Sequence, residues 1–416
     1  MSVTLDPPKA GARYIWLLIA AQFGVYLAYV TPIALSLAIR VDQLAPGQTE
    51  YLGYVIGAGG ITTVLVAPIA GMLSDRTRSR LGRRRPYFIV CTALGTIALL
   101  VLAQAPSIFV LGVGWVLAQA GWGTISSLML ASLADQLPEA QRGRVSGLGG
   151  MVSQLAPVLG AVLAGSMSGN ALLLFFVPGA VGVITMLLFI CLVREPDSRD
   201  LPLSEPLTAA SVLRTYVFDP RTQPDFAWNW LGRFLFFFGL TFNTTFTAYF
   251  LADRLHVSVA EVAGTVATIG AGGVLAAIAG AMGGGLLSDR LHRRKAFVLV
   301  AAAVFSAGAV TMAFTHTLAI IVAASILGNL GIGIFASVDQ AIALDVLPDR
   351  DTDAGRYMGV YAYSNTIAQG VAPLIAPLFL AIGAADGKNY TLLYLIAAAF
   401  TIVGGLTIVT RVQHVR

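Results

Sequence analysis

Two oppositely charged residues lie inside stretches of sequence that are otherwise apolar. Asp339 precedes Asp345, the acid that ends its apolar stretch, by six residues, which places it about 9 Å deeper along a helix. An ionisable residue inside such a stretch marks a functional site by default, and a carboxylate there can bind and release a proton. The alternative is a fixed ion pair that only holds helices together.

Arg233 is the basic residue that we place inside another apolar stretch, about as deep as Asp339. The comparable depth predicts that the two residues form a pair. Arg233 could instead contact an anionic or hydroxylated substrate, or extend along its helix to place the charge at the membrane surface. Asp339 and Arg233 are therefore the candidates for coupling to a proton.

Amide and aromatic side chains recur at helical spacing in several apolar stretches. Gln22, Tyr26 and Tyr29 are separated by four and three residues, which places them on one face of a helix. The same spacing relates four residues of another stretch: Trp115, Gln119, Trp122 and Ser126. Amides and aromatic faces suit a polyhydroxylated ring, which needs hydrogen bonds and stacking, and they also suit an amphipathic aromatic drug.

The alternative interpretation of these polar residues is hydrogen bonding between helices, which contributes about 0.6 kcal/mol per bond in membranes. We predict a substrate site from these side chains and from similar ones elsewhere in the apolar stretches. The candidate substrate-binding residues are Gln22, Tyr26, Tyr29, Trp115, Gln119, Trp122, Asn243, Asn329, Gln340, Asn365 and Gln369.

A six-residue phrase occurs twice in the chain. Residues 71–76 read GMLSDR, and residues 285–290, which begin 214 positions later, read GLLSDR. Each copy follows a glycine-rich apolar stretch and precedes a cluster of basic residues. Because the offset is about half the chain length, the phrase predicts an internal duplication.

A second landmark supports the same duplication. Asp135 and Asp345 end two apolar stretches that lie 210 residues apart, and Arg144 matches Arg356 at the start of the next stretch. With this offset the counterpart of Asp339 is Met129, so the repeat does not require an acid at that position.

The composition identifies the elements that must position these residues. Hydrophobic residues make up 57% of the 416-residue chain and charged residues 11%, whereas soluble domains contain about 25% charged residues. The apolar stretches are long enough to cross a hydrocarbon core of about 30 Å. We predict twelve spans, at residues 14–39, 51–73, 87–104, 108–134, 145–167, 171–193, 227–251, 259–286, 296–315, 318–346, 357–382 and 390–411.

The predicted fold is an all-α integral membrane protein whose twelve transmembrane helices form two pseudo-symmetric six-helix lobes. Residues 1–193 form the N-terminal lobe and residues 227–416 the C-terminal lobe. The polar, proline-rich segment 194–226 between them is the predicted linker.

The basic residues predict the orientation in the membrane. One side carries most of them, including the clusters 83–85 and 293–295, whereas the other carries only Arg40, Arg254 and Lys388. Because basic loops stay in the cytoplasm, we expect the linker and both termini to be cytoplasmic and the protein to be a multi-pass protein of the inner (cell) membrane. Two isolated cysteines, Cys91 and Cys191, predict neither a disulfide framework nor a metal site.

The duplicated phrase and its surroundings resemble the major facilitator superfamily over essentially the whole chain. The superfamily signature between spans two and three corresponds to Gly71, Asp75, Arg76 and the basic residues that follow. The resemblance implies two lobes that alternate access to a path lined by spans one, four, seven and ten, and a cytoplasmic gate formed by the signature. The residues of that predicted gate are Gly71, Asp75, Arg76, Arg85, Gly285, Asp289, Arg290, Asp135, Arg144 and Arg356.

An alternative interpretation of the arginines in this gate is that they only fix the orientation of the helices in the membrane. The resemblance implies that Asp75 stabilises the outward-facing state against the other lobe. It also implies that arginines such as Arg76 and Arg85 extend that contact. The long loop 75–86 resembles that of the sucrose/proton symporter-like branch and of the glycoside–pentoside–hexuronide symporters, although the chain lacks the long central loop common in the sucrose group.

We therefore expect a proton-coupled secondary active transporter, not an enzyme, that works by alternating access and imports a sugar or glycoside. The alternative is proton-driven efflux of a drug or natural product. The four histidines lie at or beyond span ends, so no catalytic group is predicted in the membrane. We expect a small-molecule substrate, a lipid bilayer around a functional monomer, a proton as coupling ion, and neither a cofactor nor a metal. The basic residues lack interleaved aromatics, so no nucleic acid is expected.

Overall fold

The computed structural model describes residues 10–200, 217–348, 354–383 and 388–413, and every regular element in these ranges is a helix. Residues 201–216 of the predicted linker lie outside the described residues, as do both chain ends, at 1–9 and 414–416. The all-α membrane fold predicted from the sequence is confirmed.

Six long helices make up the first half of the chain. Their bounds are α1 (Ala12–Leu44), α2 (Glu50–Arg76), α3 (Arg85–Gln104), α4 (Ile108–Gln136), α5 (Glu139–Ser166) and α6 (Ala171–Leu192). Two of them begin with a side-chain cap, because Ser107 accepts a hydrogen bond from the backbone at the start of α4 and Asn170 does so for α6.

The second half repeats this series. Its helices are α7 (Pro224–Thr245 continued by Thr247–Leu255), α8 (Ala263–Leu291), α9 (Arg294–Phe314), α10 (Leu318–Asp345), α11 (Ala354–Ala381) and α12 (Tyr390–Arg411). Within the described ranges, eleven helices are long and apolar enough to cross a membrane, and the bent α7 makes twelve if its two pieces count as one span.

The first helix of each half is interrupted about two thirds of the way along. In α1 the residues Pro32–Ser36 form a π-helical turn, and the last segment, Leu37–Leu44, follows it. In α7 the chain bends by 46° at Phe246, between Thr245 and Thr247. Proline lacks the N–H that would continue the α-helical ladder, which accounts for the irregular turn in α1.

The chain forms two compact units. One comprises Met1–Gln48 and Ile61–Pro206, and the other comprises Thr49–Gly60 and Leu207–Arg416. In the first unit α1 packs on α5 and α6, and α3 packs on α4 and α6. In the second unit α7 packs on α11 and α12, and α9 packs on α10 and α12. These four helix pairs thus meet in both halves, as expected of an internal duplication.

Glycines bring the first and sixth helices of each half close together. A Cβ atom on Gly182 of α6 would lie 2.9 Å from the carbonyl oxygen of Gly24 in α1, and one on Gly404 of α12 would lie 2.6 Å from that of Gly232 in α7. Small residues at helix contacts let backbones approach and supply van der Waals packing, which drives helix association in membranes.

The substitution Gly182→Ala tests this packing. We expect it to cost about 1–3 kcal/mol, because an added methyl group must displace the backbone of α1. The matched control is Gly147→Ala, since nothing lies within 4 Å of a Cβ atom at Gly147. Thermal unfolding of the purified protein in detergent should give a lower midpoint for Gly182→Ala than for the control. Equal midpoints would contradict the close-packing argument.

Candidate functional site

The hairpin between α2 and α3 is organised around the buried guanidinium of Arg84. Its Nη2 donates to Oδ1 of Asp75 at 2.9 Å, its Nε to Oδ2 of Asp135 at 2.6 Å, and its Nη1 to the hydroxyl of Ser74 at 3.2 Å. Arg83 pairs with the other oxygen of Asp135 at 2.6 Å. One side chain therefore joins the end of α2, the start of α3 and the end of α4.

The segment that follows α6 is hydrogen-bonded to this hairpin. Oε2 of Glu195 accepts hydrogen bonds from the backbone N–H groups of Arg84 at 2.9 Å and of Arg85 at 3.2 Å. The carboxylate thus caps α3, which has no side-chain cap of its own, and places negative charge at the positive end of its dipole. Ser198 is buried and exchanges hydrogen bonds with the backbone of Ser79 at 2.9 and 3.1 Å.

A cavity of about 280 Å³ lies where this segment meets the hairpin, lined by charged side chains of both. At its edge Arg199 donates to both carboxylate oxygens of Asp197, and these bonds hold the pKa of Asp197 below its ordinary value.

The second unit carries the equivalent network. Arg294, at the first residue of α9, pairs with Asp345 at the end of α10 and approaches Asp289 at the end of α8, with Nη2 3.5 Å from Oδ1. The Arg294 side chain retains 29% of its exposure, whereas that of Arg84 retains 6%. The two halves therefore share the geometry but differ in how far it is shielded from water.

The structure distributes the predicted gate residues unevenly around these two networks. Asp75 and Asp135 lie in the first, and Asp289 lies in the second. The glycines at 71 and 285 accept hydrogen bonds, at 2.8 and 3.0 Å, from the buried serines three residues later in the repeated phrase.

The arginine that pairs with Asp75 is Arg84, which was not among the predicted gate residues. The buried Nε atoms of Arg76 and Arg85 have no acceptor among the described residues. Arg144 and Arg290 are exposed, and Arg356 donates to the carbonyl of Val217 at 2.8 Å.

The structure brings Arg233 and Asp339 together inside the second unit. Their side chains form a salt bridge between α7 and α10 and retain 14% and 2% of their exposure. The guanidinium lies over the ring of Tyr361, at 4.1 Å from its centroid, and at 5.0 Å from that of Phe237. The Tyr361 hydroxyl donates to the backbone carbonyl of Asp339 at 3.1 Å. One oxygen of Asp339, Oδ1, has no partner among the described residues.

Two of the predicted substrate-binding residues line a cavity of about 230 Å³ in the first unit. Gln22 and Tyr26 of α1 face Ser126 and Met129 of α4 and Ser146 of α5. Oε1 of Gln22 is buried without a partner in the described residues, so it can accept a hydrogen bond from a ligand or water. Tyr29 lies beside Tyr26, with ring centroids 5.8 Å apart.

The structure does not bring the predicted tryptophans of α4 to this cavity. Trp115 and Trp122 are fully buried, and the ring of Trp122 packs on the backbone of α3 at Gly95. Gln119 is also buried and accepts a hydrogen bond from Thr63 at 3.4 Å. A π-helical turn at Gln119–Gly123 contains Gln119 and Trp122 and separates Trp115 from Ser126. Such a turn takes more residues than an α-helical one, so the spacing that would place these residues on one α-helical face no longer does so.

A smaller cavity, of about 100 Å³, lies among α7, α8, α9 and α10 in the second unit and includes Asn243 and Asn329 in its lining. Nδ2 of Asn329 donates to the carbonyl of Ser325 at 2.9 Å. Asn365 and Gln369 bond to each other at 2.7 Å, and Gln340 is exposed, so these three do not line either of the cavities described above.

Comparison with known proteins decides the family. The sequence profile of the Major Facilitator Superfamily matches residues 15–281 and 230–415. The chain belongs to the major facilitator superfamily. The solved structure of a mutant of the nucleoside transporter NupG aligns with 96% of this chain and 100% of its own, with a TM-score of 0.78 and 11% identity. A bacterial homologue of the human lysosomal transporter Spinster, in an inward-facing conformation, aligns with 96% of this chain and 98% of its own, with a TM-score of 0.70 and 18% identity.

Curated relatives of this superfamily protein match shorter segments. A general alpha-glucoside permease of Schizosaccharomyces pombe is 36% identical over 107 residues, or 24% of this chain and 18% of the permease. An MFS-type transporter of the acurin A biosynthesis cluster of Aspergillus aculeatus is 23% identical over 202 residues, or 46% of this chain and 34% of the relative. The matches thus span about a third or less of these relatives.

Sequence reasoning missed three residues of the hairpin networks: Arg84, Arg294 and Glu195. The repeat held the signal for two of them, because Arg84 and Arg294 lie 210 residues apart, the same offset as Asp135 and Asp345. Glu195 had no such signal, since its role depends on how the chain returns to the hairpin after α6.

Removal of the two central arginines should have unequal effects. Arg84→Ala takes away a buried guanidinium that serves three acceptors, so we expect a loss of about 1–3 kcal/mol in stability. Arg294→Ala removes a more exposed pair, worth less than about 1 kcal/mol. Thermal unfolding of both variants, with Arg84→Lys and Arg294→Lys as charge-retaining controls, checks the difference. A larger loss for Arg294→Ala would be the contrary result.

Proposed function

We propose that this protein is a proton-coupled secondary active transporter that imports a sugar or glycoside by alternating access. The observation that carries the proposal is the buried salt bridge between Arg233 and Asp339. Such a pair is costly in a protein interior and rarely adds stability, so a role in transport accounts for its presence. The repeat has a methionine at the position equivalent to Asp339, which supports a function specific to the second half.

The two charges depend on each other in this site. Each is stable away from water only while the other neutralises it. A proton that binds Asp339 removes the negative charge and frees the guanidinium, which the rings of Tyr361 and Phe237 still hold by cation–π contacts. The pair joins α7 to α10, so protonation weakens the link between these two helices and changes their preferred arrangement.

The substrate class rests on the cavities and on one relative. Gln22, Tyr26 and Ser126 in one cavity and Asn243 and Asn329 in the other offer amides, hydroxyls and an aromatic ring. These groups suit the hydroxyls and faces of a sugar ring. The identity to a fungal alpha-glucoside permease favours an α-glucoside.

Efflux of a natural product is the second candidate. The relative encoded in the acurin A biosynthesis cluster matches nearly half of the chain, and tyrosine rings also accept an amphipathic aromatic molecule. Efflux and import would share the proton site. They would differ in the substrate and in the direction in which the substrate moves relative to the proton.

The test is flux in proteoliposomes with maltose and sucrose as probes and ethidium as the efflux probe, with and without an imposed pH gradient. We expect the pH gradient to drive accumulation of an α-glucoside. We expect Asp339→Asn to abolish that accumulation yet leave counterflow exchange intact, because Asn keeps the shape of Asp but cannot exchange a proton.

Two controls accompany this variant. Glu261→Gln removes an exposed carboxylate at the other end of the lobe and should leave uptake unchanged. The double variant Arg233→Gln/Asp339→Asn relieves the uncompensated positive charge and shows whether a defect comes from the lost proton site or from misfolding. Uphill uptake at the normal rate in folded Asp339→Asn would refute proton coupling through this residue.

A further inference from the structure

The helix ends opposite the hairpins, here called the far ends, carry a second pair of equivalent arginines. Arg40 lies near the end of α1, and its Nη2 donates to the carbonyl of Ala105 at the end of α3, at 2.8 Å. Arg254 lies near the end of α7, and its Nη2 donates to the carbonyl of Ala313 at the end of α9, at 2.9 Å. The arginines are 214 residues apart, the offset of the repeated phrase.

Each arginine belongs to a short helical segment beyond the interruption in its helix. Arg40 lies in Leu37–Leu44, after the π-helical turn, and Arg254 lies in Thr247–Leu255, after the 46° bend. The regular α-helical hydrogen-bond pattern is interrupted before each segment, by the π-helical turn in α1 and by the non-helical residue Phe246 in α7. Side-chain contacts with neighbouring helices therefore help to set the position of each segment.

The arginine contacts suit this purpose chemically. The last carbonyls of a helix have no intrahelical partner and carry the negative end of its dipole, so a guanidinium satisfies and neutralises them. Both arginines also reach the vicinity of the sixth helix of their half. Arg40 bonds Gln43 at 3.1 Å, which donates to the carbonyl of Ser168 before α6 at 2.9 Å. Arg254 donates to the hydroxyl of Thr391 in α12 at 2.7 Å.

The two guanidinium groups share one imperfection. The Nε atom of each is buried and has no acceptor among the described residues. A buried donor without a partner costs free energy. The position in which each arginine binds the end of the third helix therefore includes a free-energy cost. His316, whose Nε2 lies 3.3 Å from Nη1 of Arg254, adds a neighbour in the second half alone.

We propose that Arg40 and Arg254 are equivalent latches, each holding a movable far segment of the first helix against the end of the third helix in its own half. Release of a latch lets the segment swing about the interruption and opens the far end of that half. This inference depends on the repeat geometry and not on the substrate or the coupling ion.

Cysteine accessibility tests the latches directly. Ala38 and Ala252 lie two residues before the two arginines and are buried in the far segments. Ala38→Cys and Ala252→Cys are introduced separately in a background with Cys91→Ala and Cys191→Ser. The rate of labelling by a hydrophilic maleimide is then measured on the full chain in lipid nanodiscs.

We expect Arg40→Ala to raise labelling at position 38 by at least about tenfold, the smallest factor expected for loss of a hydrogen bond to a charged group, with no change at position 252. Arg254→Ala should do the reverse. The Arg→Lys variants should give smaller increases, since Lys keeps the charge but carries its donors on one nitrogen and lacks the planar fork of Arg. The thermal unfolding midpoint of each variant is recorded in parallel.

Two results would overturn the proposal. If labelling stays unchanged when the nearby arginine is replaced, other contacts hold the segment. If either substitution raises labelling at both positions together with a lower unfolding midpoint, the arginines stabilise the whole protein and do not act as local latches.

Discussion

In each half of this protein, one arginine between two carboxylates joins the ends of three helices. Arg84 links Asp75 and Asp135, and Arg294 stands between Asp289 and Asp345. Helices in a bilayer gain little from hydrophobic contact with one another, so packing of small residues and polar contacts must set their arrangement. In each half the hairpin network supplies polar contacts at the helix ends, and the close glycine contacts supply packing along the helices.

The networks also explain why the third helix is central to each half. The first turn of α3 follows Arg84 and is capped by Glu195, and the carbonyl at its other end accepts a hydrogen bond from Arg40. α9 begins at Arg294 and ends under Arg254. Both helices are thus bound at both termini by charged groups, and at the far end that group belongs to the interrupted first helix of the same half.

Hydropathy and the repeat were enough to predict the helices, because spans of this length and apolarity have few alternative structures in a membrane. The charge pair Arg233–Asp339 could also be anticipated, since depth along a helix can be counted from the sequence. The positions of side chains in or beyond an irregular turn could not be predicted from the sequence. The π-helical turn at Gln119–Gly123 changes the face of α4 on which Trp122 lies, and the sequence has no pattern that predicts this turn. Among three consecutive arginines, only the folded loop determines that Arg84 turns inward and is buried.

The segment after α6 has a consequence for biosynthesis. All the partners of the first hairpin network, from Ser74 to Glu195 and Ser198, lie in the first 198 residues of the chain. The ribosome has therefore made every group of this network before it begins α7, and domains generally fold as units from the N-terminus during synthesis. The first half can complete its own charge pairing before its duplicate exists, so the second half emerges beside a partner whose hairpin is already closed.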